Sequence, residues 1–249
     1  MKSRLVYTLV GVILALGLIA CDGTIFEDIA GESVRGSGDV VQQDREVRDV
    51  TGVELAMQGT LQITTGGGEA LRIEAEDNLL TYIETDVRGG KLVIETRSGI
   101  NLRPTRPIRY TLTVGELKSI EVSSSGDVEA EELQSGSCSV RISSSGNVSI
   151  DSLECTSLQV NISSSGNLEV SRGQVQEQDI TISSSGEYRA SNLDSVEAEI
   201  ALTSSGTATL RVSNRLTGRL SSSGDVRYIG NPELDVRMTS SGRTERINE

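Results

Sequence analysis

Val140-Arg-Ile142-Ser-Ser-Ser-Gly146-Asn-Val148-Ser-Ile150 is one of seven copies of a pattern that fills residues 117–242. The copies end on Gly126, Gly146, Gly166, Gly186, Gly206, Gly224 and Gly242, at spacings of 20, 20, 20, 20, 18 and 18 residues. Thr203 and Thr239 replace the first serine in two copies. Self-similarity at a fixed period of this length marks a solenoid, in which each repeat packs only on its neighbours.

Aligning the copies on their glycines exposes apolar columns. Six residues before the glycine stand Ile120, Val140, Val160, Ile180, Ile200, Gly218 and Val236. Four before it stand Val122, Ile142, Ile162, Ile182, Leu202, Leu220 and Met238. Two after it stand Val128, Val148, Leu168, Tyr188, Ala208, Val226 and Thr244. Each apolar column lies an even number of residues from the glycine, and even steps along an extended chain share one face. The sequence therefore predicts an all-β fold, a right-handed parallel β-helix with coils of 18–20 residues and each strand pairing with its equivalent one coil on. At about 4.8 Å per coil, seven coils make a rod of roughly 30 Å. The same parity places the middle serines (Ser124, Ser144, Ser164, Ser184, Ser204, Ser222 and Ser240) on the inward face, where stacked hydroxyls would bond to one another. The flanking serines point outward as a polar ladder. Each repeat glycine is expected to adopt a backbone angle that other residues avoid. Thr244 and Arg246 would form the polar cap of the last coil.

The bulk composition suits this architecture. Aromatic residues make up 2% of the chain, too few for a conventional globular core, but small β-branched residues stack well in rows. The net charge of −13 repels phosphate backbones and excludes a nucleic-acid partner.

At the N-terminus, Lys2 and Arg4 precede an apolar run over residues 5–19, shorter than the roughly 20 residues of a membrane span. This is the layout of a secretory signal peptide. It ends Leu18-Ile19-Ala20-Cys21, which resembles the lipobox of bacterial lipoproteins. That resemblance implies cleavage before Cys21, acylation of Cys21 and a membrane partner through the lipid. The reading divides the chain into a signal peptide (residues 1–20), a tether (21–35), a β-rich N-terminal part (36–115) and the repeat solenoid (116–249). The remaining cysteines, Cys138 and Cys155, form an even pair in an oxidising, extracytoplasmic setting. The repeat frame puts Cys155 over Ser135, three residues before Cys138, which leaves open either a disulfide or two buried thiols.

In residues 36–115, alternation marks strands at Val53-Glu-Leu55-Ala-Met57, Leu61-Gln-Ile63, Leu71-Arg-Ile73-Glu-Ala75 and Tyr110-Thr-Leu112-Thr-Val114. Gly89-Gly90 separates residues 83–87 from Leu92-Val-Ile94 as a hairpin-like corner, and residues 78–82 read as a helical turn. Gly36-Ser-Gly38-Asp-Val40 echoes the repeat as a degenerate first copy. Gly66-Gly67-Gly68 is a turn, because no helix and no lysine–serine pair follow it as a phosphate loop requires.

The Ser-Ser-Ser-Gly-Asp/Asn-Val units, the strands Val53-Glu-Leu55 and Leu61-Gln-Ile63, the Asn78-Leu-Leu80 stretch with Leu92-Val-Ile94 after it, and the lipoprotein start together resemble the bacterial DUF2807 family, described as a putative autotransporter adhesin, head GIN domain. Gly99-Ile100-Asn101 matches the namesake tripeptide. The resemblance implies a β-helical or β-roll fold at the cell envelope and supplies no catalytic residues.

The serines do not read as nucleophiles. The chain has no histidine, so no Ser-His-Asp triad forms, and neither Lys91 nor Lys118 lies in a Ser-x-x-Lys motif. Metal sites built on histidine are excluded, and the column holding Asp127 and Asp225 also holds Asn147, Asn167, Glu187, Thr207 and Arg243, so it reads as a solvent-facing position and not a calcium site. No catalytic residue, cofactor or metal is expected. The sequence points to a non-enzymatic envelope lipoprotein that displays a surface to a cell-surface glycan or an envelope protein. The alternatives are a β-helical polysaccharide-active enzyme, which would need a deep cleft with paired carboxylates, and an accessory module of envelope signalling.

Overall fold

The structure, a computed structural model, describes residues 31–239 and 241–248; the signal peptide, Cys21 and Ser240 lie outside the described residues. Residues Glu32–Glu249 form one compact unit. It is a β-solenoid whose main sheet has 19 strands, and no α-helix is present among the described residues.

The columns read from the sequence are the observed registers. Ile120 pairs with Val140, Val140 with Val160, Val160 with Ile180 and Ile180 with Ile200, all in parallel. The period then shortens, so Ile200 pairs with Gly218 and Gly218 with Val236. Ile142, Ile162, Ile182 and Leu202 are buried, as are Val148, Leu168 and Tyr188 across the corner. Apart from Tyr188, these are branched aliphatic side chains, which lie over one another along the axis and exclude water.

The corners differ from expectation in two ways. The triplets are bends and not strand, so the two-residue parity stops at them. Ser124, Ser144, Ser164, Ser184, Ser204 and Ser222 are half-buried, and no hydrogen bond links their hydroxyls to one another. The backbone makes the coil-to-coil bonds instead: Ser163 N–H donates to Ile142 O at 2.9 Å, Ser183 N–H to Ile162 O at 2.9 Å and Glu187 N–H to Gly166 O at 3.2 Å. Nor do the repeat glycines occupy left-handed backbone; the positive-φ glycines are Gly38, Gly59, Gly66, Gly89, Gly90, Gly99, Gly173 and Gly230. The repeat positions need glycine for space. A Cβ at Gly186 would lie 2.6 Å from Gly166 O and 2.9 Å from Ser164 O, and one at Gly126 would lie 2.5 Å from Met57 O. Each glycine rests on the backbone of the coil beneath it.

The lead-in is continuous with the solenoid but stacked out of chain order. Strand Gly52–Leu55 pairs with Ser119–Val122 on one side and with Lys91–Thr96 on the other. Strand Thr60–Thr65 likewise lies between Asp127–Ile142 and Arg109–Val114. The rung made of residues 91–114 is therefore outside the rung made of residues 52–65. Antiparallel strands close this end: Ala70–Glu76 on Arg109–Val114, Val40–Arg45 on Ala70–Glu76, and Ile83–Arg88 on Lys91–Thr96 across the Gly89–Gly90 hairpin. Val40 thus begins an antiparallel cap strand, so Gly36–Val40 is not a first coil. Residues 32–35, read as tether, form a strand parallel to Ile100–Arg103. The helical turn is a short 3-10 segment at Leu80–Tyr82.

A buried carboxylate ties this cap together. Glu76 is fully buried, and Oε1 accepts from Gly38 N–H at 2.7 Å and from Thr105 Oγ1 at 2.5 Å. Oε2 accepts from Thr105 N–H at 2.8 Å and from Arg106 N–H at 3.4 Å. The carboxylate also fills the space a Cβ would take at Gly36. Burial pushes the Glu76 carboxyl up, but the bonds from the Thr105 hydroxyl and the Thr105, Gly38 and Arg106 amides together outweigh it and hold it below the ordinary value of 4.5. A carboxyl lowered on folding stabilises the fold above its unfolded value, and that contribution disappears as pH falls through the lowered folded value. Below about pH 4.5 the cap is therefore expected to loosen. Protection of the Gly38 and Thr105 amides, measured as exchange relative to the intrinsic rate at each pH, should fall on acidification in the wild type. In Glu76→Gln this protection should already be low at pH 7 and lose its acid dependence. Acid-independent protection in the wild type would contradict this role for Glu76.

Candidate functional site

The corner that each glycine compresses pushes its neighbours outward. Ser143, Ser145, Ser163, Ser165, Ser183, Ser185, Thr203 and Ser205 are all exposed, two per coil. None of these eight hydroxyls has a hydrogen-bond partner among the described residues, whereas Ser123 Oγ at one end donates to Glu54 at 3.1 Å and Ser221 Oγ at the other donates to Leu202 O at 3.4 Å. A free hydroxyl offers one donor and two acceptor positions. The parallel register repeats them about every 4.8 Å, so the corner is two straight rows of unused hydrogen-bonding capacity on a rigid frame.

The next column is already occupied by its own contacts. Asn147 donates to Asp127 Oδ1 from its backbone N–H at 3.1 Å and from Nδ2 at 2.8 Å, and Asn167 Nδ2 donates to Asn147 Oδ1 at 2.9 Å. This stacked ladder was not recognised as such in the sequence, where varied residue types in one column read as solvent-facing. Further along, Arg189 bonds to Glu187 at 2.6 Å and lies 3.4 Å from Glu169. Asp127 and Asp225 lie five coils apart and meet no common point. Among the described residues no group of three or more His, Cys, Asp or Glu is arranged to hold a metal ion.

The outward positions of strands Gly173–Ile182 and Leu193–Leu202 are strongly acidic. Glu177 registers with Glu197 and Asp179 with Glu199. Another set of carboxylates, Glu129, Glu131 and Asp151, lines an open depression of about 350 Å³ beside Gln62 and Ser149. All three are solvent-exposed.

Cys138 and Cys155 are both buried and joined as a disulfide across adjacent coils, with Cα atoms 6.2 Å apart. Cys155 registers with Ser135, so the bridge runs diagonally and crosses one coil boundary. Inside the rod, Tyr188 Oη donates to Gln178 Oε1 at 2.6 Å, and burial pushes the Tyr188 hydroxyl far above its usual range. The structural roles of the repeat glycines and serines are as described above, with Gly242 over Gly224 and Ser222.

Known proteins share this fold. A putative adhesin of Bacteroides fragilis superposes with a TM-score of 0.81 at 22% identity, over 86% of this chain and 100% of that one. A putative lipid binding protein of Parabacteroides distasonis gives 0.70 at 22% identity, over 87% and 100%. A putative adhesin of Parabacteroides merdae gives 0.66 at 17% identity, over 88% and 100%. At these identities the likeness is one of fold. No curated protein matches the chain. The model of the family described as "Putative auto-transporter adhesin, head GIN domain" matches residues 49–232, which takes in the lead-in rungs and nearly all of the repeat array. By that match, over most of its length, the chain belongs to the DUF2807 family.

Proposed function

We propose that this protein is a non-enzymatic, membrane-anchored envelope lipoprotein whose solenoid holds a hydroxyl-rich corner against a cell-surface glycan or another envelope protein. The observation that carries the reading is the double row of exposed hydroxyls, from Ser143 to Ser205, without hydrogen-bond partners among the described residues. A glycan presents hydroxyls of its own and pairs with such rows through many weak bonds, each about 0.5–1.5 kcal/mol. Repetition at a fixed spacing turns those weak contacts into avidity when the target is also repetitive. The adhesin descriptions of the family and of its structural relatives agree with this reading. An acylated Cys21 would hold the rod at the membrane, on the periplasmic face or at the cell surface.

The test uses residues 22–249 on glycan arrays and on whole cells. Binding is expected for the wild type. Replacing Ser143, Ser145, Ser163, Ser165, Ser183 and Ser185 together by alanine should reduce it by at least about tenfold while the circular dichroism stays unchanged. Equal binding by the serine-less variant would refute the ladder as the contact surface. For the anchor, radiolabelled palmitate should enter the full-length chain and not Cys21→Ala; equal labelling would exclude the lipid.

A further inference from the structure

The two ends of the solenoid are finished differently. At the lead-in end, antiparallel strands cover the outermost rung. At the other end, among the described residues, strand Glu233–Met238 pairs only with Arg215–Leu220, and Arg243–Arg246 pairs only with Asp225–Ile229. Thr244 and Arg246 make the second of these strands polar, as the sequence led us to expect. The first is not. Leu234 is 47% exposed and Met238 is 51% exposed, although both lie in columns whose preceding members, Leu216 and Leu220, are buried.

The backbone of this strand is poised for a partner. Glu233 N–H donates to Asn214 O at 2.8 Å and Thr239 N–H to Leu220 O at 3.0 Å, so the odd-numbered residues bond back to the preceding coil. Neighbouring residues of a strand direct their amides to opposite sides, which leaves the N–H and C=O groups of Leu234, Val236 and Met238 facing the open edge. An open edge with apolar side chains is a template for another strand.

We infer that this edge pairs with the same strand of a second copy, antiparallel about a two-fold axis at Val236. That register sets Val236 opposite Val236 of the second copy and Leu234 opposite its Met238. Both pairings, and the symmetry-related one of Met238 with Leu234 of the second copy, are hydrogen-bonded ones, matching the free amides. Outward, Asp235 falls opposite Arg237 of the second copy and Arg237 opposite its Asp235, in the non-hydrogen-bonded pairs where side chains come closest. A strand reading Glu-Leu-Asp-Val-Arg-Met is thus complementary to itself in both charge and apolar contact. Glu233 is held by Arg215 of the preceding coil at 3.3 Å, whereas Asp235 and Arg237 approach each other only to 4.0 Å, with both side chains more than 70% exposed. Two-fold pairing closes both edges at once and does not propagate into filaments.

Sedimentation velocity on residues 22–249 tests this. We expect a monomer–dimer equilibrium with a dissociation constant in the micromolar range, as suits a small interface. Asp235→Arg and Arg237→Asp each place like charges opposite one another and should weaken the dimer by about tenfold or more. The double variant Asp235→Arg/Arg237→Asp restores opposite charges and should return it to within about threefold of the wild type. Both positions are solvent-exposed, and thermal midpoints near the wild-type value will confirm that the variants fold. A monomer at every concentration would give the edge to another occupant and overturn the inference. A dimer indifferent to all three variants would overturn it equally.

Discussion

Gly186→Val should destabilise the fold by about 3 kcal/mol or more and leave the rod partly unfolded at 37 °C. The reason is contact with the coil beneath. Even the first carbon of a side chain at this position would sit 2.6 Å from Gly166 O and 2.9 Å from Ser164 O. Gly166 O is itself bonded, accepting from Glu187 N–H. The clash therefore cannot be relieved by a rotamer change and must spread the two coils. Spreading lengthens the ladder bonds on both sides of the corner, and a solenoid has no other contacts with which to compensate. A glycine needed for its φ angle would behave differently, since alanine there costs about 1 kcal/mol without disturbing a neighbour. The matching control is Gly136→Ala, where the added carbon meets nothing within 4 Å and φ is not positive. That change should be neutral or slightly stabilising, by up to about 1 kcal/mol through the unfolded chain. Urea unfolding monitored by circular dichroism reads both values, and equal midpoints for the valine and alanine variants would reject the packing argument.

Ile162→Ala should cost about 2–5 kcal/mol. Ile162 is buried in the middle of its column, pairing with Ile142 below and Ile182 above. In a globular core, neighbours from several directions relax into a vacated space. Here the replacement would have to come along the axis, where the strand ladder fixes the separation of coils. The cavity should therefore persist, and the loss should fall toward the upper part of the range. The same residue couples to the glycine corner, because its Cγ2 is among the atoms nearest to a Cβ at Gly186. Combining Ile162→Ala with Gly186→Ala should thus cost less than the sum of the separate losses, while the clash with Gly166 O remains. A double-mutant cycle on denaturant midpoints measures this, and strict additivity would mean that the two sites do not touch.

How far the sequence could be read depended on which contacts are local to the repeat. A buried column at even spacing from a recurrent glycine has one geometric solution, so the pairing of Val140, Val160, Ile180 and Ile200 follows from the repeat alone. The order of the lead-in rungs was not accessible in this way. Alternation in Leu61-Gln-Ile63 and Leu112-Thr-Val114 states which face is buried and is silent on which strand lies next to which. The out-of-order stacking of residues 91–114 beyond residues 52–65 follows from pairings distant in sequence. Glu76 was hidden for a related reason. It follows Leu71, Ile73 and Ala75 in outward phase, and only the covering of that outward side by Gly36–Gly38 and Thr105 buries it. The middle serines were assigned to the core by carrying strand parity through a bend, where it does not apply. The exposed rows of hydroxyls were legible for the opposite reason, since outward residues beside a compressed corner stay outward whatever the angle of the bend.

The central claim is that equivalent residues of successive repeats stack directly, one coil apart. Cysteine pairs at the exposed first serine of the triplet test it, in a background with Cys21, Cys138 and Cys155 replaced. Ser143→Cys/Ser163→Cys and Ser163→Cys/Ser183→Cys place the new thiols one coil apart, about 4.8 Å between backbones, within the roughly 7 Å that a disulfide spans. Ser143→Cys/Ser183→Cys places them about twice as far apart, beyond that limit. Oxidation should close the first two pairs nearly completely and leave the third open; equal yields from all three would contradict the stacked solenoid.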